Sequence, residues 1–285
     1  FRNDSDARLT QLSVSCGVYS DGALAGGASG YLSEITPRGL AGFDSTSGLA
    51  NITPAPTDVR CHASPGISSE YQPGVAGSEL QVQAGFAYNP GGVAGTHDVN
   101  IGTTIFNPTQ KAALWVTVDV DMLDAQGRFI QLASISEAYV LPGETVYTGA
   151  FPVPDTASDP PASLRTRVHV SEWGDPKNAT LASDDSLDLT SYTFDVSGAQ
   201  VYHENGMLMI GGTVTNRSAV GMDGLSVSCT AFAGGSIAAG GRWTLDPAPI
   251  GIGVPFEIIT GYTGTISADE VKCTVHLTSI WEPIA

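Results

Sequence analysis

Apolar residues in this chain recur mainly at every second position. The segments "LSVSC" (Leu12 to Cys16), "WVTVDVDML", "RTRVHVSEW", "LMIGGTVTN" and "VKCTVHL" all alternate in this way, which is the pattern of strands with one buried face. With 34 Gly and 17 Pro in 285 residues, few stretches are long enough to sustain helical spacing. Turn chemistry separates the alternating segments, as in "SDG" at Ser20 to Gly22, "DAQG" at Asp124 to Gly127 and "LPGE" at Leu141 to Glu144. The pattern predicts an all-β fold of short strands arranged as β-sandwiches.

One of these segments is written twice. "LSVSC" ends at Cys16 and again at Cys229, and in both copies an Asn-x-Ser lies ahead of it, Asn3 and Asn216, each thirteen residues before the cysteine. The next cysteines, Cys61 and Cys273, follow after 45 and 44 positions. A third copy lies between, with "GTTIFNPT" matching "GGTVTNRS", and thirteen residues after Asn107 comes Val120. Its closing strand sets Thr166, Val168 and His169 where the last copy has Cys273, Val275 and His276. The middle copy lacks both cysteines together, which predicts the pairs Cys16 with Cys61 and Cys229 with Cys273. Alternation puts each cysteine on the apolar face of its strand, so the expected bond spans two sheets. Four buried free thiols are the competing reading, and no C-x-x-C spacing supports zinc.

These repeats predict three tandem immunoglobulin-like β-sandwich domains, at residues 1–72, 78–175 and 189–285, the first lacking its N-terminal strands in this chain. Two linkers of about fifteen residues, "ASPGISSEYQPGVAGSE" and "GDPKNATLASDDSLD", join them and are long enough for bending. Only Phe1 and Arg2 precede Asn3, so the first copy is expected to expose apolar core and an open sheet edge. Either the parent polypeptide supplies those strands upstream, or another chain does, including a second copy of this one, by strand complementation. Phe1 is then a candidate partner contact. Phe151 and Pro152, opening the proline-rich "FPVPDTASDPPASL", are read as the start of a long contact-bearing loop.

Charge narrows the partners. Twelve basic against 29 acidic residues give a formal charge of -17, which repels nucleic acid. No run of eighteen apolar residues occurs, so no membrane span is expected. The start at Phe1 lacks signal-peptide character and reads as a processed or incomplete front end. Disulfides imply an oxidising compartment, extracellular or at the cell surface. The sequons at Asn3, Asn51, Asn178 and Asn216 are of a kind that arises by chance in Ser/Thr-rich chains, and no glycosylation is inferred from them.

Catalytic patterns are missing. No G-x-S-x-G elbow, phosphate loop or dinucleotide fingerprint occurs. His169 and His276 alternate with apolar neighbours and are predicted to face outward from their strands. The chain is therefore read as a non-enzyme with no cofactor, calcium being the one ion to consider. Its candidate ligands are Asp184, Asp185 and Asp188 in the second linker, with Asp119, Asp121 and Asp124 as a second cluster.

The Gly-x-Val/Ile-x-Asn strand, the alternating strand after it, the "DAQG" hairpin and "LPGETVYTGAF" together resemble the bacterial and archaeal FxLYD domains, immunoglobulin-like sandwiches found in tandem on surface proteins. The likeness is best over residues 80–173 and extends to about 191–285, where "GGTVTNRS" is kept. The resemblance implies a non-catalytic module with no ligand site to carry over; together with the disulfides, the repeats and the truncated front it gives the expectation of an extracellular structural or adhesive protein, a building block of a surface filament, sheath or envelope assembly. The alternative is an ion- or carbohydrate-binding accessory module of a surface complex.

Overall fold

The computed structural model describes residues 1–4, 9–35, 38–41, 57–65, 75–76, 79–91, 97–155, 160–181, 186–245 and 247–284. Antiparallel strands dominate, and no α-helix occurs among these residues. The chain forms two compact units, residues 1–73 and 74–285.

The first unit is a sheet of β1 (Leu9–Ser20), β2 (Ala23–Ile35) and β3 (Asp58–Pro65) in the order β2-β1-β3. Alternation along β1 sends Leu12, Val14 and Val18 to one face, all buried, and Leu32 and Ile35 of β2 are buried too. Leu9, Leu24 and Val59 of the same sheet are exposed. Phe1 differs from its expected role. Its ring packs on this cluster, its backbone exchanges hydrogen bonds with Ala41, and the Asn3 N–H donates to the Gly39 carbonyl at 2.9 Å.

The second unit begins with β4 (Val75–Ala76), β5 (Gln81–Asn89), β6 (His97–Phe106), β7 (Ala112–Leu123), β8 (Phe129–Val140), β9 (Thr145–Asp155) and β10 (Ser163–Gly174). They make the facing sheets β5-β6-β9 and β4-β10-β7-β8, the middle sheet pair, around Ile101, Ile105, Val118 and Val120. Next come β11 (Phe194–Glu204), β12 (Met207–Asn216), β13 (Gly221–Ala233), β14 (Ser236–Leu245), β15 (Gly253–Ile259) and β16 (Glu270–Ile284). These form β11-β12-β15 and β14-β13-β16, the last sheet pair, around Ile210, Leu225, Val227 and Ile258.

The two pairs share one topology, and β4 is the sole addition among the described strands. Register supports the correspondence residue by residue. Val120 lies opposite Thr166 in the middle pair where Cys229 lies opposite Cys273 in the last, and Cys16 lies opposite Cys61 in the first unit. The repeated asparagine has one task throughout. Asn107 donates its amide to the Lys111 and Val140 carbonyls at 2.8 and 2.9 Å, Asn216 donates to Val220 and Ala248 at 2.8 and 3.0 Å, and Asn3 donates to Ile35 at 3.3 Å. All three are buried, since an amide that ties two chain segments satisfies carbonyls water cannot reach. This use also takes Asn3 and Asn216 out of consideration as exposed sequons.

Both disulfides form, Cys16–Cys61 and Cys229–Cys273, each with Cα atoms 4.0 Å apart. Their geometry differs from the expected inter-sheet bridge. Each bond crosses between adjacent strands of a single sheet, β1 to β3 and β13 to β16. Two cysteines on the same face of neighbouring strands meet side by side at a narrow rung, so a shared apolar face did not require the bond to cross the core.

The middle and last sheet pairs are packed face to face within the second unit. Gly85, Gly102 and Gly149 stand on one rung across β5, β6 and β9, and the backbone of β14 lies on them. A Cβ on Gly102 would come within 2.7 Å of the Ala239 carbonyl carbon, and one on Gly240 within 2.8 Å of the Gly102 Cα. Sheets normally pack about 10 Å apart with side chains between them; here the missing side chains let backbone meet backbone. Some of the polar groups facing this seam bond across it. Thr230 Oγ1 donates to the Thr103 and Thr148 carbonyls at 2.9 and 3.0 Å, and the Gly240 N–H donates to Asn100 Oδ1 at 2.8 Å. The second linker is folded as well, with Ala179 and Leu187 exchanging backbone hydrogen bonds and Ala179, Leu181 and Leu189 buried in the last core.

Candidate functional site

The most elaborate side-chain constellation sits where the two sheet pairs meet beside the glycine seam. After β8 the chain turns through Leu141–Glu144, with Gly143 at φ 73°. The Leu141 N–H donates to Glu144 Oε2 at 2.7 Å, closing the turn. The Gly143 N–H donates to the Asn107 carbonyl at 2.8 Å and the Asn107 N–H to the Glu144 carbonyl at 3.0 Å, pinning the turn to the end of β6. Glu144 Oε1 is thereby left facing His276 Nε2 of β16, 2.8 Å away.

His276 alternates with Val275 and Leu277 and so lies on the β16 face away from the last core. That face is not solvent, because the middle pair covers it, and His276 is only 3% exposed. Its ring lies against Tyr139 of β8 with centroids 4.1 Å apart, and the Tyr139 hydroxyl accepts the Leu277 N–H at 3.3 Å. His169 is also buried, at 4%. Both histidines thus correct the outward assignment; for His276 the reason is that away from one core is not the same as toward water when sheets stack.

Burial opposes charge on His276, but the Glu144 carboxylate, its hydrogen bond and the charge of Glu137 outweigh that and raise the imidazole pKa above its usual value. Burial likewise pushes Glu144 up, and His276 together with the Leu141 N–H holds it below the ordinary carboxylate range. Burial keeps the Tyr139 phenol protonated well past its usual range.

An open cleft of about 510 Å³ adjoins this clasp. Tyr147, Tyr192 and Phe194 supply aromatic surface, and residues 271–276 of β16 form one wall. Lys272 Nζ sits 5.8 Å from the Tyr147 ring centroid and 5.5 Å from that of Phe232. Thr274 Oγ1 accepts the Tyr147 N–H at 3.0 Å, Cys273 is in its disulfide, and both Glu144 oxygens are engaged. The arrangement can bind a chain or a ring against aromatic and peptide surface, and it presents no activated nucleophile. A second cleft, about 480 Å³, is lined by Arg242 and Trp243, the latter 45% exposed.

The aspartates singled out from sequence are used structurally where they are described. Asp188 caps the 3₁₀ turn Leu189–Ser191, accepting from Thr190 N at 3.0 Å and Thr190 Oγ1 at 2.6 Å. Asp184 and Asp185 lie outside the described residues. Asp121 takes Arg165 and Arg167, Asp119 takes Ser134 and Arg167, and Asp124 closes the "DAQG" hairpin through Gln126 N and Arg128 N at 2.8 Å each. Among the described residues no group of three or more His, Cys, Asp or Glu is placed to hold a metal. Phe151 and Pro152 belong to strand β9 rather than to a loop, at a register shift opposite the Val99–Ile101 segment of β6; their side chains are outside the described set. No helix among the described residues is long and apolar enough to cross a membrane.

Sequence reasoning passed over Tyr139, Glu144, Tyr147 and the glycine rung. A signal was available in the glycines, since Gly85, Gly102 and Gly149 interrupt alternating strands, and glycine inside a strand often marks close backbone approach.

The chain is thus an all-β protein with two cross-strand disulfides. No protein-family model and no curated protein matches it. Among solved structures, it is similar to the crystal structure of red sea bream transglutaminase at 15% identity and a TM-score of 0.22, over 72% of this chain and 31% of that one. The chain therefore spans about a third of the length of that protein.

Proposed function

We propose that this protein is a non-catalytic structural or adhesive component outside the cell, a tandem of three immunoglobulin-like domains built into a surface filament, sheath or envelope assembly. The observation that carries the reading is the glycine seam. Three in-register glycines bring two sheet pairs into backbone contact, and the polar groups around that contact are committed to holding the pairs together. Such a weld suits a part that bears load or keeps a fixed spacing. The two disulfides fit an oxidising compartment. Partners in this reading are other proteins, including further copies of the chain that complete the first domain by strand complementation.

The test is surface labelling of intact source cells with a membrane-impermeant amine reagent, followed by non-reducing mass spectrometry. Labelled protein with both disulfides intact is expected. Protein shielded from the reagent and carrying free thiols would overturn the reading.

The aromatic cleft and exposed Trp243 favour a second reading, a carbohydrate-binding accessory module. Isothermal titration with oligosaccharides distinguishes the two, since saturable heat lost on Tyr192→Ala supports the module and no heat supports the structural role.

A further inference from the structure

Three buried polar atoms beside the clasp have no hydrogen-bond partner among the described residues: Glu137 Oε1 of β8, Ser226 Oγ of β13 and His276 Nδ1 of β16. Their residues are 3%, 6% and 3% exposed. Buried polar groups left in this state cost stability, so three close together call for a common partner. Ser226 lies opposite His276 in register, and side chains so paired stand about 5 Å apart at Cβ. Both turn away from the last core, because the residues flanking them, Leu225 and Val227, Val275 and Leu277, belong to it. Glu137 comes two residues before Tyr139 and shares its face of β8, and the Tyr139 ring lies against His276. The charge of Glu137 acts on both.

On the imidazole, Nε2 is spent on Glu144, 2.8 Å away. The two ring nitrogens point to opposite sides of the ring. Along the chain Glu144 follows Tyr139 and Glu137 precedes it, so Nδ1 is turned to the Glu137 side. Other charges near the joint are already used: Lys272 pairs with Glu270, and the Arg242 guanidinium donates to the Ser136 carbonyl. The Tyr139 hydroxyl accepts the Leu277 N–H. With two carboxylates favouring the charged imidazole, Nδ1 carries a proton. The three atoms are then a donor, an acceptor and a hydroxyl able to be either. A cation would meet the Nδ1–H head on, whereas water can accept one bond and donate two.

We propose that Glu137, Ser226 and His276 hold one buried water molecule in the joint between the middle and last sheet pairs. The water accepts the His276 Nδ1–H and donates to Glu137 Oε1 and Ser226 Oγ. His276 is thereby held by two carboxylates of the middle pair, Glu144 directly and Glu137 through the water. Glu137 and Ser226 act as positioning residues that fix the ring from the side Glu144 cannot reach. The assignment stands on the geometry of the joint and holds whether the protein is structural or a binding module.

The full chain, isotope-labelled at its histidine nitrogens, is studied by magnetic resonance below pH 6.5, the ordinary imidazole value. The Hδ1 proton of His276, assigned by its loss in His276→Gln, is expected to cross-relax with water in the rotating frame. Ser226→Val removes the hydroxyl and fills its space, and is expected to abolish that signal. Glu137→Gln, which keeps an acceptor oxygen without the charge, is expected to lower the pH midpoint of the His276 ring. Should Ser226→Val fail to fold, the unmodified protein and Glu137→Gln decide the matter. No water contact at Hδ1 in the unmodified protein, an undiminished contact in Ser226→Val, or an unmoved midpoint in Glu137→Gln each overturns the proposal.

Discussion

The middle and last sheet pairs are built on one topology and differ at three places that topology leaves free. Where the last pair has its disulfide, the middle has Val120 opposite Thr166. Eight residues after its asparagine the last pair has Gly224 at φ 71°, whereas the middle has Trp115 at φ 53°. A bulky residue pays about 1 kcal/mol to be left-handed, and the indole, packed against the neighbouring core, offsets it. The middle edge strand β10 carries β4, and its counterpart β16 carries a cleft. Repeats of one fold thus diverge first in cross-links, bulges and edges, which alter contacts with neighbours without altering which strands pair.

Exchanging these features tests the comparison. The largest effect is expected from Cys229→Val with Cys273→Thr, which writes the middle pair's rung into the last. Opening a loop of 44 residues removes about 4 kcal/mol in the chain-entropy model, to be read from denaturant midpoints. The reciprocal Val120→Cys with Thr166→Cys is expected to oxidise spontaneously and to raise stability, as mass spectrometry and thermal melting would reveal; a persistent dithiol would mean that the two rungs are not equivalent.

Gly102→Val comes next. Its side chain has no room against Ala239, so a loss of about 3 kcal/mol is expected, together with faster amide exchange along β14. The same substitution at Gly91, where a Cβ would meet nothing closer than Asn89 Oδ1 at 3.6 Å, controls for effects unrelated to the seam; comparable exchange along β14 in both variants would argue against a weld. Asn107→Ala and Asn216→Ala each remove two amide-to-carbonyl hydrogen bonds made by a buried side chain and are each expected to cost about 2 kcal/mol. Unequal losses in chemical denaturation would break the equivalence of the two asparagines.

The smallest effect concerns pH. His276 has a raised folded pKa, so its contribution is full below the ordinary value of 6.5 and is lost as pH climbs through the folded value. Glu144 has a lowered one, so its contribution is present above 4.5 and disappears as pH falls through the folded value. The clasp is therefore strongest between those limits. On the order of 1 kcal/mol is expected to be lost on the alkaline side, and His276→Gln should flatten that limb in a series of melts at graded pH.

Much of the fold was legible in the alternation. The "LSVSC" repeat, the asparagine thirteen residues upstream and the correspondence of Thr166 with Cys273 are visible in the order of residues, because register in antiparallel strands follows from which positions must face a core. The candidate site was less legible. Glu144 sits in what reads as an ordinary "LPGE" turn, and its partner His276 lies 132 residues away. The alternation around His276 correctly says that it turns away from its own core, and it carries no information on what covers the other side. Asp119 and Asp121 looked like ligands because their arginine and serine partners come from other strands, whereas Asp124 is closed by its own hairpin turn.

By itself the sequence determined that this protein is made of alternating strands, and that the cysteines after its two "LSVSC" segments stand at matched places. Those properties depend on local spacing, which is fixed along the chain. Only the tertiary structure decided that each disulfide joins neighbouring strands, that Ala179 and Leu181 of the second linker join the last core, and that glycines on β5, β6 and β9 form one rung beneath β14. Contacts of this kind arise between faces that alternation marks only as polar or small, and close packing of those faces depends on the shape of both partners at once.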